Sequence, residues 1–152
     1  MNEARVLALS LHGRLVGYLV GARDGRNILT FDAGFRDDPL RPTFSLITSP
    51  AFPNAQPLLS KPWVTRQRLH PVLSNLLPEG ALRAFIAQSL KVHENNEFEM
   101  MAYLGGDLPG ALVAEPAHPD DLPPGSRERI QRHDAGCDGW RGNSRHATGV
   151  AG

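Results

Sequence analysis

Few of the features that mark secreted or membrane proteins occur in this sequence of 152 residues. It holds one cysteine, Cys137, so no disulfide can form within the chain and nothing indicates an oxidising compartment. No apolar run approaches the roughly 18 residues of a membrane-spanning helix. The N-terminus, MNEARVLALSLHG, carries a glutamate where a signal peptide is basic, and His12–Gly13 breaks its short apolar run. We therefore expect a cytoplasmic protein with no membrane partner.

The sequence also lacks an excess of charge and any catalytic motif. Its 16 basic and 16 acidic residues cancel, whereas a dedicated nucleic-acid binder usually carries a basic excess. No direct nucleic-acid contact is expected; phosphate contacts from the arginines of the C-terminal segment are the alternative. None of the six histidines stands at metal-ligand spacing, and no glycine-rich loop leads into a phosphate-binding helix. We expect no enzyme: no catalytic residue, no metal and no cofactor.

The N-terminal part contains short runs typical of β-strands, the first of which alternates residue by residue. The predicted strands cover residues 5–11, 14–20, 27–31 and 43–48. His12–Gly13 is a turn signal, and Gly17 within the second run indicates a bulge or a close neighbour. Residues 49–62 contain four prolines, so we expect a long loop there.

Helical periodicity follows this loop. The predicted helices cover residues 68–77, residues 81–92 and a short stretch after Asn96, which forms a capping-box spacing with Glu99. Residues 110–114 read as a last strand. Arg83 is expected to point outward, and the expected core includes Phe85, Ile86, Phe98 and Met101. The chain thus predicts an α+β fold, in which a small antiparallel meander precedes two or three short helices and a final strand.

The character of the sequence changes at Pro116. Residues 116–152 show no sustained periodicity and few large apolar side chains. Their burial cannot offset an ordering entropy of about 1–2 kcal/mol per residue. We therefore predict a folded domain over residues 1–115 and a polar, disordered C-terminal tail over residues 116–152, with at most one helical turn in RERIQR.

The order of several short stretches is similar to a known family. HGRLVGYL is followed by LTFDAGF, then by SNLLPEGALR, and then by EFEMMAYLGGDLPGAL. Over about residues 5–114 this order resembles the N-terminal subdomain of the HipA family of toxin kinases. In those kinases the subdomain continues into an ATP-binding core, but this chain turns into a polar tail at Pro116, so no kinase residue can be carried over.

The resemblance implies a stand-alone subunit similar to HipS of the tripartite HipBST toxin–antitoxin systems. Such a subunit would be an antitoxin that neutralises a HipT-like Ser/Thr kinase toxin by direct protein–protein binding. A HipB-like helix-turn-helix protein would be a further partner in the same complex. The alternative is a truncated or frameshifted remnant of a HipA-like kinase with no independent activity.

A subdomain separated from its neighbour should expose a surface more apolar than the exterior of a monomer. Trp63 is the candidate anchor of such a surface, because tryptophan and arginine are enriched among binding hot spots. The predicted partner-binding residues are Trp63, Lys61, Arg66 and Arg68. The alternative interpretation is that Trp63 packs into the core against the helix predicted at residues 68–77.

Overall fold

The computed structural model describes residues 5–43 and 45–135. The chain divides into two compact units, Met1–Leu122 and Pro123–Gly152. The described part of the first unit holds the sheet and five helices, and that of the second unit holds one helix.

The first unit is built on a five-stranded antiparallel sheet with the order β4-β3-β2-β1-β5. The strands are β1 (Arg5–Leu11), β2 (Arg14–Gly21), β3 (Arg26–Phe31), β4 (Trp63–Arg66) and β5 (Leu112–Ala117). The predicted α+β class is therefore confirmed, and the first three predicted strands agree with β1, β2 and β3 to within one residue. β5 begins two residues later than predicted and pairs with β1.

Both backbone features expected in the first hairpin are present. His12 has φ 51° and Gly13 has φ 76°, a pair of positive values that matches the twist of the flanking strands in a two-residue turn. The register between β1 and β2 shifts beside Gly17. A Cβ atom at Gly17 would overlap the carbonyl oxygen of Thr30 on β3. The bulge and the close neighbour are thus both present, and the close approach of Thr30 requires glycine at this position.

The predicted strand at residues 43–48 is wrong. Leu46–Thr48 form a 3₁₀ turn, and the buried guanidinium of Arg41 donates a hydrogen bond to the carbonyl oxygen of Thr48 at 2.8 Å. This bond holds the segment in a curved path. The fourth strand is instead Trp63–Arg66, for which the sequence predicted no regular element.

The helices of the first unit are short. They are α1 (Ala33–Arg36), α2 (Ala55–Leu59), α3 (Pro71–Ser74), α4 (Gly80–Leu90) and α5 (Glu97–Leu104). α4 and α5 confirm the second and third predicted helices. The helix predicted at residues 68–77 is wrong in length, because proline has no N–H to donate and disfavours a helical residue before it. His70 accordingly has ψ 143°, and α3 starts at Pro71.

The predicted capping box at the start of α5 is also wrong. Asn96 occupies the N-cap position, but its side chain makes no capping hydrogen bond. Glu99 instead accepts a hydrogen bond from Nη1 of Arg5 at 2.6 Å. The first turn of α5 is therefore tied to β1 by an ion pair rather than capped locally.

One face of the sheet packs against the helices and forms the core of the first unit. The buried cluster includes Leu7, Leu9, Leu19 and Leu29 from the sheet and Leu73, Ile86, Phe98, Met100 and Met101 from the helices. Full burial of each such side chain contributes about 1.5–3 kcal/mol. The core positions predicted for Ile86, Phe98 and Met101 are confirmed, whereas Phe85 is not part of this cluster.

The segment predicted to be a polar tail holds more regular structure than one helical turn. β5 extends to Ala117, a 3₁₀ turn covers Pro119–Asp121, and α6 covers Pro124–Ala135 in the second unit. The prediction of disorder for residues 136–152 lies outside the described residues. The boundary predicted between residues 115 and 116 stays a prediction.

Candidate functional site

Trp63 lies on β4, an edge strand of the sheet, and packs at the border of the buried core. Its indole ring meets Phe31 edge-on, with centroids 4.9 Å apart, and lies 4.4 Å from the ring of His70. The indole N–H donates to the carbonyl oxygen of Leu58 at 2.9 Å. The side chain is partly buried and packs against the core. Packing by Trp63 is therefore present, and a partner-binding role for its exposed part stays a prediction.

The surroundings of His70, beside Trp63, favour its neutral form. Burial lowers the pKa of the His70 imidazole. Its Nδ1 accepts a hydrogen bond from the N–H of Val72 at 3.3 Å, in the first turn of α3. A protonated imidazole has no free lone pair to accept this bond. Both the packing and the cap therefore favour neutral His70.

The other predicted partner-binding residues form a basic rim around β4. Lys61, Arg66 and Arg68 are exposed. Arg68 donates from Nε to the side-chain oxygen of Asn95 at 3.2 Å. Among the described side chains, those of residues 5–43, 45–128 and 130, no ion pair involves any of these three cations. The sequence contains no Asp or Glu from residue 39 to residue 78, so the rim has no acidic neighbour along the chain.

A second exposed surface, which was not predicted from the sequence, lies on α4. Leu82 and Phe85 are 57% and 67% exposed. The core prediction for Phe85 is therefore wrong. The remaining exposed residues of the helix between its ends are Ala81, Ala84, Gln88 and Ser89, none of which is charged. We call the face formed by these six residues the apolar face of α4.

The orientation of α4 follows from Arg83, which points inward rather than outward as predicted. Its side chain is only 12% exposed and donates from Nη2 to Oε1 of Glu97 at 2.7 Å. The same nitrogen donates to the carbonyl oxygen of Glu94 at 2.7 Å. Ile86 lies three positions from Arg83 and so shares its side of the helix. Turning Arg83 inward therefore buries Ile86 and leaves Leu82 and Phe85 in solvent.

Glu97 joins three segments through one buried carboxylate. Its side chain is fully buried. Oε2 accepts from the N–H of Leu69 at 2.6 Å, and Oε1 accepts from the hydroxyl of Ser74 at 2.9 Å as well as from Arg83. A buried charge is tolerated when it is paired and hydrogen-bonded in this way. Glu97 thus links these three segments and fixes the orientation of α4.

A signal for the apolar face was present in the sequence. The stretch GALRAFIAQSL contains a single charged residue, Arg83. Once that residue turns inward, the outer side of the helix has no charge at all. A surface helix normally places charged residues on its outer side, so the missing charges distinguish this face from that of an ordinary surface helix.

Two kinds of site are absent from the part of the chain that the structure describes. Among the described side chains, those of residues 5–43, 45–128 and 130, no group of three or more His, Cys, Asp or Glu could hold a metal ion. No helix in that part of the chain is both long enough and apolar enough to cross a bilayer. The candidate site consists of the basic rim around β4 and the apolar face of α4, both of which are exposed surfaces.

Comparison with known proteins identifies this architecture. The family model described as HipA N-terminal domain matches residues 7–115. The chain belongs to the HipA N-terminal domain family. The matched region of this HipA N-terminal domain spans most of β1 and of β5 and the whole of β2 to β4 and α1 to α5.

Two curated relatives from Sinorhizobium fredii (strain NBRC 101917 / NGR234) are similar to most of the chain. One, named "Putative kinase Y4dM", is 37% identical over 130 residues, which are 86% of this chain and 31% of that protein. Another, named "Putative kinase Y4mE", is 31% identical over 121 residues, or 80% of this chain and 27% of that protein. The HipA N-terminal domain described here therefore spans less than a third of the length of either relative.

Proposed function

We propose that this HipA N-terminal domain is a HipS-like antitoxin subunit that binds a HipT-like Ser/Thr kinase toxin and neutralises it. It acts in the cytoplasm by protein–protein contact alone and catalyses no reaction. A HipB-like helix-turn-helix protein completes the complex and supplies its contact with DNA. The proposal agrees with the names of the two relatives, which are called kinases and of which this chain matches less than a third.

The observation that carries the proposal is the apolar face of α4. A face that exposes Leu82 and Phe85 and bears no charge is costly for a free monomer and typical of a docking surface. Interfaces between parts of one chain resemble transient protein–protein interfaces. A domain that is covalently joined to a kinase core in longer proteins can therefore dock on a separate kinase chain through the same kind of surface.

One helix face is too small to support the complex alone. A stable interface buries about 800 Å² on each partner, and a large aromatic side chain such as Phe85 supplies about 150–250 Å² at most. The proposed interface therefore also uses the exposed part of Trp63 together with Lys61, Arg66 and Arg68. Cations at the rim of an interface mainly raise the association rate and select the partner.

Neutralisation then follows from occupancy of the kinase. The bound subunit either covers the nucleotide cleft or favours one state of a mobile segment of the kinase. In the second case its effect is limited by its difference in affinity for the two states. Kinase activity should fall in proportion to the fraction of kinase bound.

The test is co-purification with a HipA-like kinase from the same genome that lacks this domain. We expect the wild-type chain to capture the kinase and to suppress its phosphoryl transfer. The double variant Leu82→Ser/Phe85→Ser should lose capture and suppression while keeping the wild-type melting temperature. Leu40→Ser/Leu46→Ser is the matched control, because these two leucines are also exposed but lie on other segments.

Two results would contradict the proposal. Equal loss of capture in both double variants would mean that α4 has no special role in docking. Failure of the wild-type chain to bind or inhibit the kinase would instead favour the alternative, a kinase remnant with no independent activity.

A further inference from the structure

The open edge of β4 indicates how the partner binds. We propose that this edge accepts an extended, acidic segment of a partner protein, which adds to the sheet as a sixth strand. The inference deepens the proposed function and rests on it, because it names the chemistry of the segment that the kinase or its complex presents.

The backbone of β4 has hydrogen-bonding groups that face away from the sheet. Within the residues that the structure describes, β4 pairs with β3 on one side and with no strand on the other. The N–H of Gln67 donates to the carbonyl oxygen of Gly25 at 2.8 Å. This bond makes the pair of Arg26 and Arg66 a non-hydrogen-bonded pair of the ladder, and such pairs alternate with bonded ones along antiparallel strands. Val64 and Arg66 therefore direct their N–H groups to the open side.

The two edge strands of the sheet differ in the backbone N–H groups that they expose to solvent. β5, at the opposite edge, contains Pro116, which removes a backbone donor from that strand. β4 contains no proline within its four residues, and Val64 is 44% exposed. Proline is one of the devices that prevent strand addition. The N–H of Ala114 on β5 also already donates to the carbonyl oxygen of Gly105 at 3.0 Å. β5 therefore offers fewer accessible donors than β4.

The charges around β4 define the chemistry of the added strand. Lys61, Arg66 and Arg68 are exposed and form no ion pair within the part of the chain that the structure describes. Charged side chains can also serve only to keep other strands away. That alternative does not explain why residues 39–78 contain no acid at all. The absence of acidic side chains over so long a stretch leaves the rim attractive to carboxylates.

The register predicts a pattern within the partner segment. Val64 and Arg66 point to the same face of the sheet, because they are two residues apart on one strand. Residues directly opposite each other on paired strands interact most strongly. The partner should therefore place an apolar residue beside Val64 and a carboxylate two positions away beside Arg66. This mixture of apolar contact and backbone pairing favours a peptide over nucleic acid, which would use the cations alone.

The test uses three synthetic peptides of about eight residues, within the usual range of strand lengths. Each repeats the pattern Val-Thr-X-Thr, in which X is glutamate, lysine or glutamine, so that valine and X lie two positions apart on one face of the added strand. Binding to the full chain is followed by amide chemical shifts and by hydrogen exchange. We expect the glutamate peptide to bind and to protect the N–H groups of Val64 and Arg66. Affinity should fall several-fold when NaCl is raised from about 50 to about 300 mM, because exposed charges are screened.

Substitutions then separate backbone pairing from charge. Val64→Pro removes one outward donor and should weaken the glutamate peptide about tenfold or more, whereas Val64→Thr keeps both the donor and the β-branched shape and should bind within about twofold of wild type. Lys61→Gln/Arg66→Gln should also weaken binding several-fold. Lys91→Gln, which removes one exposed charge at the C-terminal end of α4, should have no effect and is compared with Arg66→Gln alone.

Three outcomes would overturn the inference. They are equal binding of all three peptides, protection outside β4, and a preference for a single-stranded oligonucleotide over the glutamate peptide. The kinase assay separates this inference from the proposed function. If the kinase is captured equally by Val64→Pro and Val64→Thr, edge pairing is wrong and the antitoxin proposal stands. If the peptide binds as expected but the wild-type chain does not capture the kinase, the antitoxin proposal is wrong and edge pairing stands.

Discussion

Replacing the buried carboxylate of Glu97 tests how the helices of the first unit are joined. Glu97→Gln keeps the size of the side chain and removes its charge. The glutamine amide nitrogen can only donate, so it would face one of the donors that now bond to Glu97, namely Leu69 N–H or Ser74 Oγ. Arg83, 12% exposed, would lose its counter-charge.

The magnitude follows from burial. Removing one partner of a buried ion pair typically costs about 3–5 kcal/mol, which is a large part of the 5–15 kcal/mol that stabilises a typical domain. At about 3–4 °C per kcal/mol, Glu97→Gln should lower the melting temperature by roughly 10–20 °C. The free energy of unfolding is measured by urea titration followed by circular dichroism.

Glu99→Gln is the matched control, because Glu99 lies two residues away on the same helix. Its partner is Arg5, and the two side chains are 30% and 57% exposed. Exposed pairs contribute about 1 kcal/mol or less. A double-mutant cycle of Glu97→Gln with Arg83→Met should give a coupling energy above about 1 kcal/mol. The reasoning is refuted if Glu97→Gln costs no more than Glu99→Gln, or if the cycle is additive.

Three further substitutions test other parts of the structure. Trp63→Ala should reduce the free energy of unfolding by about 2–3 kcal/mol, less than for a fully buried tryptophan; an unchanged urea midpoint would show that Trp63 is not part of the core rim. Gly17→Ala should abolish or strongly destabilise folding because its Cβ would overlap Thr30, whereas Gly106→Ala, with open space around it, should be nearly neutral; similar melting temperatures for the two would contradict the close approach of β2 to β3. Burial lowers the pKa of His70 in the folded state, so the unfolded state binds more protons and stability should fall as the pH drops below about 6.5. The slope of the free energy of unfolding against pH should be smaller in His70→Asn. An equal slope in both proteins would exclude His70 as the source of this pH dependence.

The parts of the fold that the sequence predicts well are those fixed by nearby residues. Strand β1 alternates from Leu7 to Leu11, and the turn at His12–Gly13 sets its register with β2. By contrast, residues 43–48 have strand-like composition, but Arg41 donates to Thr48 and the segment forms a 3₁₀ turn. β4 is only four residues long, and a long connection separates it from its partner β3. So short a strand carries too little local pattern to be detected, because its pairing depends on distant residues.

In the candidate site, too, nearby residues fix what the sequence predicts well and distant residues fix the rest. Leu69, Leu73 and Leu77 are buried at the predicted helical spacing, although α3 covers only part of that stretch. The inward turn of Arg83 depends on Glu97, 14 residues later in the chain. Periodicity within α4 does not contain that information. Periodicity alone therefore predicts Phe85 in the core. The apolar face of α4 can be recognised only once the ion pair between Arg83 and Glu97 is known.

The position of β5 has a consequence for synthesis of the chain on the ribosome. β1 is an inner strand, but one of its two neighbours is β5, and their pairing includes Leu7 with Pro116. At about 5–20 residues per second, the roughly 100 residues between these strands take about 5–20 s to translate. Throughout that interval the nascent chain presents one side of β1 unpaired. Chaperone binding to ribosome-bound chains should therefore persist until Leu112–Ala117 has emerged from the exit tunnel, and then decline.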